Sequence, residues 1–138
     1  MERIKEYHLE DQIGFKLRLA NQKHLDVFSQ VMPEITPTQF AVLAKLLERG
    51  AISQNHLGRM VGMDAATTKG VVDRLRKKGF VERTPSRTDL RRLQISLTPA
   101  GRDFTEGAIG RAHLISRRTT ANLSKREQER LLALLDKL

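Results

Sequence analysis

The stretch from Ser53 to Gly79 restricts the possible fold more than any other part of this sequence. It contains two short segments with helical spacing of apolar residues, and each follows a residue that caps helices well: Ser53 before the first and Asp64 before the second. Gly62 interrupts the pattern between them, and Gly79 ends it. Two short helices joined by a turn that contains glycine are typical of a helix-turn-helix.

The second of these helices is predicted to have two different faces. Val71, Val72 and Leu75 share one apolar side when residues are placed at 100° intervals. The opposite side carries small or charged residues: Ala66, Lys69, Gly70, Asp73 and Lys77. Small side chains permit close approach of a partner, and cations neutralise phosphates, so this face suits a groove of nucleic acid. A solvated polar surface is the alternative interpretation.

A basic hairpin is predicted to follow the helix-turn-helix. The segments "FVERT" and "RLQISLT" indicate two strands around a loop of about seven residues. In the second strand, Leu93, Ile95 and Leu97 are expected to face inward and anchor the hairpin. The loop contains three cations and one acid: Arg87, Asp89, Arg91 and Arg92. A helix-turn-helix followed by such a hairpin is a winged helix, so the fold is expected to be mainly α with a small β-hairpin wing.

Helical patterns also flank this region on both sides. One runs from Asp11 to about Val31, and the next begins with Thr36 as its N-cap. A long helix is predicted from Pro99 to about Thr120, and the last helix begins with the capping box of Ser124 and Glu127. This last helix is rich in leucine and too apolar to remain in water alone.

The first helix and the last two helices are therefore the predicted dimerisation elements. We expect residues 1–138 to form a single domain. Within it, about 33–98 would form the winged-helix DNA-binding lobe, and about 8–32 and 99–138 the dimerisation helices. A homodimer would hide apolar surface that a chain of this length cannot bury by itself.

The net charge of +9 is concentrated in one part of the chain. Between Arg59 and Arg92 there are ten Lys or Arg residues and four Asp or Glu residues, a net charge of +6 in 34 residues. Such a cationic segment indicates a polyanionic partner, whose binding should depend strongly on salt. A surface that only keeps the protein in solution is the alternative.

Composition and motifs exclude several other classes. The absence of cysteine rules out disulfides and Cys-ligated zinc. No apolar run approaches the roughly 18 residues of a membrane span, and the N-terminus is too charged for a signal peptide, so we expect a cytoplasmic protein. The four histidines are scattered, and no catalytic, metal-binding or nucleotide-binding motif occurs. We therefore expect no enzyme activity, no metal and no cofactor.

At this point the sequence resembles the MarR family of bacterial transcriptional regulators. The resemblance covers nearly the whole chain, and it rests on "ITPTQFAVLAKL", "DRLRKKGFVER" and the Asp89-x-Arg91 pattern followed by "SLTPAG". It implies a homodimer that binds a pseudo-palindromic operator in double-stranded DNA, usually as a repressor. It also implies release by a small aromatic, often acidic, molecule bound between the dimerisation helices and the DNA-binding lobe. For this chain we expect an aromatic carboxylate, such as a hydroxybenzoate or a pyridine carboxylate.

The residues expected to contact DNA come from three places. The N-terminal part of the helix Ala65–Lys78 would enter the major groove and Arg91 the minor groove, with Asp89 holding the wing arginine, as the resemblance implies. Gly70 departs from the polar or basic side chain that many relatives have there. Helix N-termini near Thr38 and Ser53 favour phosphates, although capping alone is the alternative. The full set is Thr38, Ser53, Gln54, Ala65, Ala66, Thr67, Lys69, Gly70, Arg74, Arg87, Asp89, Arg91 and Arg92.

Candidates for binding an acidic aromatic effector follow from the resemblance and from the need for a sheltered cation. They are His8, Phe15, Lys16, Arg18, Phe40 and His113. Surface exposure or ordinary core packing is the alternative for each of them. Two other functions share the same charge and fold: an architectural DNA-binding protein without an effector, and a protein-interaction module that no longer binds nucleic acid.

Overall fold

The structure is a computed structural model that describes residues 6–138. The chain divides into two compact units. The first extends to Val31 and resumes at Leu114–Leu138, and the second is Met32–His113, so that the boundary falls within one long helix. The expectation that residues 1–138 form a single domain stays a prediction, and residues 1–5 lie outside the described part.

Residues 6–138 form six α-helices and three short strands. A 3₁₀ turn at Leu9–Asp11 comes before the first helix. The helices are α1 (Ile13–Val31), α2 (Pro37–Arg49), α3 (Gln54–Val61), α4 (Ala65–Lys77), α5 (Pro99–Thr119) and α6 (Lys125–Leu135). The strands are β1 (Ile52–Ser53), β2 (Val81–Pro85) and β3 (Leu93–Leu97). The predicted mainly α fold with a small β-hairpin is confirmed.

The predicted helix starts are confirmed by their side-chain caps. The Thr36 side chain accepts a hydrogen bond from the backbone N–H of Gln39 in a complete capping box at the start of α2. The Ser53 hydroxyl accepts from the backbone N–H of His56 at α3. The Asp64 carboxylate accepts from the backbone N–H of Thr67 at 2.7 Å and opens α4. These caps satisfy donors that the first turn of a helix leaves unpaired.

The sheet has one strand more than the hairpin predicted from the sequence. Its order is β1-β3-β2 and all pairings are antiparallel, with Ile95 opposite Ile52 on one side and Arg83 on the other. The prediction that Leu93 faces inward is wrong, since it is 47% exposed. Leu93 pairs with Pro85 at the end of β3 that adjoins the loop, where the hairpin extends beyond the core of the second unit. Ile95 is fully buried and anchors the sheet.

The core of the second unit holds α2, α3, α4 and the sheet together. Its fully or almost fully buried side chains include Val42, Leu43, Leu46, Leu57, Val71, Val72, Leu75, Val81 and Ile95. The predicted apolar face of α4 is therefore confirmed. Thr68, which is 1% exposed, belongs to the same face, and its hydroxyl donates to the carbonyl of Asp64 at 2.7 Å. With this face buried, α4 presents its opposite face to solvent.

The first unit combines α1, the end of α5 and α6. Thr119 at the end of α5 is hydrogen-bonded to His24 of α1, with 3.0 Å between Oγ1 and Nδ1. The capping box of Ser124 and Glu127 opens α6 as predicted. This unit exposes large apolar side chains on α1 and α6: Ile13, Leu17, Leu19, Leu25, Leu131, Leu132, Leu134 and Leu135. Among residues 6–138, no helix has both the length and the apolar character needed to cross a membrane.

Candidate nucleic-acid interface

The exposed face of α4 begins with small side chains. Ala65, Ala66 and Thr67 form its first turn and are all exposed, and Lys69 follows one turn later. Gly70 is partly buried, and a Cβ atom at that position would lie 3.6 Å from Nη1 of Arg74, which is itself exposed. The N-terminal half of α4 thus lets a partner approach the helix backbone closely.

An acidic side chain lies in the middle of this cationic face. Asp73 Oδ2 accepts a hydrogen bond from Nζ of Lys69 at 3.0 Å, one turn back on α4. Its Oδ1 accepts from Nη2 of Arg83 on β2 at 2.5 Å. The hydrogen bond from Lys69, together with the charges of Lys69, Arg83 and Arg76, lowers the pKa of Asp73 from its ordinary value. Asp73 therefore stays ionised at neutral pH and joins the helix to the hairpin.

The loop between β2 and β3 displays its arginines to solvent. Arg87, Arg91 and Arg92 are all exposed. The loop is closed by backbone hydrogen bonds, from the N–H of Ser86 to the carbonyl of Arg92 at 2.8 Å and from the N–H of Arg92 to the carbonyl of Asp89 at 3.0 Å. The Ser86 side chain is buried beneath the loop, so that the arginines project outward from a closed turn.

Asp89 contacts the loop through the backbone of Arg91. Its Oδ1 accepts a hydrogen bond from the backbone N–H of Arg91 at 3.0 Å, in a local turn. Its Oδ2 lies 3.8 Å from Nε of Arg92. The carboxylate thus fixes the backbone at Arg91 and faces the guanidinium of Arg92, while the Arg91 side chain is exposed.

A single cleft brings the helix-turn-helix and the hairpin together. It has a volume of about 460 Å³, and its lining is Ser53, Gln54, Asn55, Arg59, Lys69, Arg83, Arg91, Arg92 and Leu93. Five of these nine residues are cations, and they come from α3, α4, β2 and the loop. Such a concave cationic surface with backbone N–H groups at the start of α3 is suited to the phosphates of a nucleic acid.

The cleft contains five of the residues predicted from the sequence and four that were not. Ser53, Gln54, Lys69, Arg91 and Arg92 were predicted DNA contacts, and all of them line it. The additional residues are Asn55, Arg59, Arg83 and Leu93. Both additional arginines belong to the cationic segment 59–92, which was the only signal for them in the sequence.

Some predicted DNA contacts lie outside this cleft. Thr38 is exposed on the first turn of α2, where its Oγ1 lies 3.3 Å from that of Thr36. Arg87 is exposed on the loop, and Arg74 on α4. Asp89 belongs to a neighbouring depression beside the loop, together with Ser53 and Arg92. Their predicted role in DNA binding stays a prediction.

The candidate effector residues divide between the two units. His8, Phe15, Lys16 and Arg18 belong to the first unit, where the Arg18 guanidinium lies 5.3 Å from the centre of the Phe15 ring. Phe40, partly buried on α2, and His113, exposed on α5, belong to the second. Their assembly into one pocket stays a prediction. In the described part of the chain, no three His, Asp or Glu side chains are arranged to hold a metal ion.

Helices α3 and α4, the three-stranded sheet and the exposed arginine loop define a winged helix-turn-helix protein of the DNA-binding class. The sequence profile of the MarR family matches residues 35–93. The chain is 33% identical over 134 residues to the HTH-type transcriptional repressor NicR of Pseudomonas putida, covering 96% of this chain and 85% of NicR. This chain belongs to the MarR family of transcriptional regulators.

Two solved structures are similar over nearly the whole chain. One is a probable transcriptional regulator from Pseudomonas aeruginosa, at 49% identity and a TM-score of 0.89, covering 94% of this chain and 98% of the other. The other is BpsR of Bordetella bronchiseptica, at 33% identity and a TM-score of 0.91, covering 96% of each chain. The BpsR structure concerns the regulation of DNA binding by 6-hydroxynicotinic acid. These likenesses agree with the family that the sequence resembles in "ITPTQFAVLAKL", "DRLRKKGFVER" and the Asp89-x-Arg91 pattern.

Proposed function

We propose that this protein is a ligand-responsive transcriptional repressor that binds a pseudo-palindromic operator as a homodimer. The observation that supports this best is the cationic cleft, in which α3, α4, β2 and the loop contribute five Lys or Arg side chains to one concave surface. Because like charges repel one another, a surface that gathers five cations favours an anionic partner such as DNA.

In this proposal the exposed N-terminal half of α4 enters the major groove, and Arg91 reaches the adjacent minor groove. The small side chains of Ala65 and Ala66 allow close approach, and Thr67 and Lys69 supply polar contacts. Arginine suits a narrow minor groove because its negative potential is enhanced there. The remaining proposed DNA contacts are Thr38, Ser53, Gln54, Gly70, Arg74, Arg87, Asp89 and Arg92.

The proposal of a homodimer rests on the apolar surface of the first unit. Exposed leucines occur on both α1 and α6, and Leu132 is 65% exposed. Apolar side chains in such number are costly to leave in water, and a second copy of the chain would cover them. A two-fold dimer would then present two α4 helices to half-sites about 34 Å apart.

The proposed effector is a hydroxylated aromatic carboxylate. BpsR, whose DNA binding is regulated by 6-hydroxynicotinic acid, is similar to this chain over 96% of each chain. In this chain, the candidates for holding such a ligand are His8, Phe15, Lys16, Arg18, Phe40 and His113. The ligand would release DNA by binding more tightly to a dimer whose α4 helices are wrongly spaced for the operator.

DNA selection tests the first part of this proposal. The full-length protein is used to enrich duplexes from a random-sequence library, and the enriched sites are compared with a scrambled duplex over a range of salt concentrations. We expect a pseudo-palindromic consensus and an affinity that falls steeply with salt. An architectural protein would enrich no consensus, and a protein-interaction module would bind neither duplex.

Release by the effector is tested on the selected duplex. 6-Hydroxynicotinate and 4-hydroxybenzoate are compared with 6-hydroxynicotinamide, in which a carboxamide replaces the carboxylate, and with 4-hydroxycyclohexanecarboxylate, which lacks the aromatic ring. We expect thermal stabilisation of the protein and loss of the DNA complex with the aromatic acids alone. Absence of both effects across the panel would remove the effector from the proposal while leaving DNA binding in place.

A further inference from the structure

Asp73 is the one acid on the exposed face of α4, and both of its oxygens are engaged. Oδ2 accepts from Lys69 at 3.0 Å and Oδ1 from Arg83 at 2.5 Å. Both cations line the cleft described above. The carboxylate thus connects a cation on the helix with a cation on the hairpin, at the place where the two elements meet.

Stabilisation of the fold is a weak explanation for this arrangement. The pair of Lys69 and Asp73 is a solvent-exposed helix pair, with the lysine side chain 64% exposed, and such pairs contribute little. The Arg83 side chain is only 21% exposed, and its buried Nε has no hydrogen-bond partner among residues 6–138. An unsatisfied donor of this kind is costly to the fold. The guanidinium is held in its orientation by Asp73 and by partial burial.

Charge alone also argues against an acid at this position. A carboxylate among the cations of a DNA-binding surface repels phosphates and lowers the affinity for every duplex alike. A fixed orientation of Arg83 and Lys69, by contrast, helps only where the DNA presents acceptors in matching places. If the cleft binds DNA, the carboxylate therefore lowers the affinity for random duplexes but not the affinity for a cognate duplex whose acceptors match Arg83 and Lys69.

We propose that Asp73 is a positioning residue that sets the discrimination between operator and random DNA, by fixing Arg83 and Lys69 in the cleft between α4 and the wing. This inference rests on the proposed function, since it presumes that the cleft faces DNA. It adds that Arg83 contacts the operator and that the acid beside it limits non-specific attraction.

The experiment measures the affinity of full-length variants for the duplex selected by the wild type and for a scrambled duplex of equal length. For Asp73→Asn we expect operator affinity to fall about tenfold, while affinity for the scrambled duplex stays equal or rises. The ratio of the two affinities should thus fall at least about tenfold. A residue with only a structural role would change both affinities together.

A second variant preserves the charge and covers the case in which Asp73→Asn does not fold. Asp73→Glu moves the carboxylate by one methylene, so we expect the scrambled duplex to be bound as by the wild type and the operator more weakly. Asp103→Asn, an exposed acid on α5, is the matched control and should leave the ratio unchanged. Thermal melting identifies which variants are folded.

The outcomes separate this inference from the proposed function. If the wild type selects no preferred duplex, the proposed function fails and the inference fails with it. If it does select one, and both Asp73 variants keep the wild-type ratio, Asp73 plays no part in discrimination and only this inference is overturned. A reduced ratio in either folded variant, with the control unchanged, supports it.

Discussion

The backbone carbonyl of Phe80 lies against Gly101 so closely that a Cβ atom at residue 101 would overlap its oxygen and stand 2.7 Å from its carbon. The contact joins the first turn of α5 to the chain that leaves α4. Thr98 strengthens it, since its hydroxyl donates to the carbonyl of Gly79 at 2.6 Å and its N–H to that of Phe80 at 3.0 Å. The "SLTPAG" motif thus attaches α5 to the end of α4, the helix proposed to enter the major groove.

Gly101→Ala is therefore expected to destabilise the protein by about 3 kcal/mol or more, because backbone atoms must move to admit the methyl group. Gly107→Ala is the matched control on the same helix, where a Cβ atom would meet nothing within 4 Å. That change should stabilise the protein by up to about 1 kcal/mol. Denaturant unfolding followed by circular dichroism measures both, and equal stabilities would contradict the packing described here.

A second connection between elements of the second unit depends on pH. The Glu34 carboxylate lies 2.7 Å from Nη1 of Arg111 on α5, and the Glu34 carbonyl accepts a hydrogen bond from Nζ of Lys78 at the end of α4. The hydrogen bond from Arg111 lowers the pKa of Glu34 from its ordinary value. The stability gained is present above the unfolded-state pKa and is lost as pH falls through the lower folded-state pKa.

We expect Glu34→Gln to have a lower melting temperature than the wild type near pH 7. The difference should shrink at acidic pH, as the pH falls through the lowered pKa of Glu34 in the wild type. Glu129→Gln, which changes an exposed acid on α6, should follow the wild type at both pH values. Melting temperatures measured across this range check the prediction. A Glu34→Gln difference that is constant with pH would mean that the ion pair does not contribute.

The parts of the fold that the sequence predicts are those set by local chemistry. Thr36, Ser53 and Asp64 cap their helices because a side-chain oxygen needs only the next three residues to do so. The spacing of Val71, Val72 and Leu75 likewise fixes which side of α4 is buried. Each of these features can be read from a short window.

The features that the sequence does not predict depend on pairings between distant residues. Strand β1 has only two residues and exists because Ile52 pairs with Ile95, 43 positions later. The pairing of Asp73 with Arg83 needs the turn between α4 and β2 to bring the two side chains together. The sequence indicates a cationic segment around Arg83 but not which cation faces the cleft. Leu93 follows the alternating pattern but lies beyond the core of the second unit and is exposed.

Arg91→Ala is expected to weaken operator binding without affecting the fold. The side chain is exposed, while its backbone N–H keeps the hydrogen bond to Asp89. We expect a loss of about tenfold in affinity. If Arg91 contacts a phosphate, the slope of log affinity against log salt concentration should also become smaller by about one. Arg130→Ala on α6 removes the same charge from the first unit and is the control. Equal affinities for the two variants would exclude Arg91 from the interface.

Substitution of Asp89 tests two physical effects that would change the affinity for DNA in opposite directions. Removing its negative charge should tighten binding to any duplex if Coulomb attraction dominates. Its carboxylate, however, accepts the N–H of Arg91 and shapes the loop, so Asp89→Ala should weaken operator binding about fivefold, the equivalent of one hydrogen bond. Asp89→Asn loses the charge but keeps the acceptor oxygen, and it should retain most of the affinity. Fluorescence anisotropy with the selected duplex distinguishes the cases, and tighter binding by both variants would show that Asp89 does not position the wing.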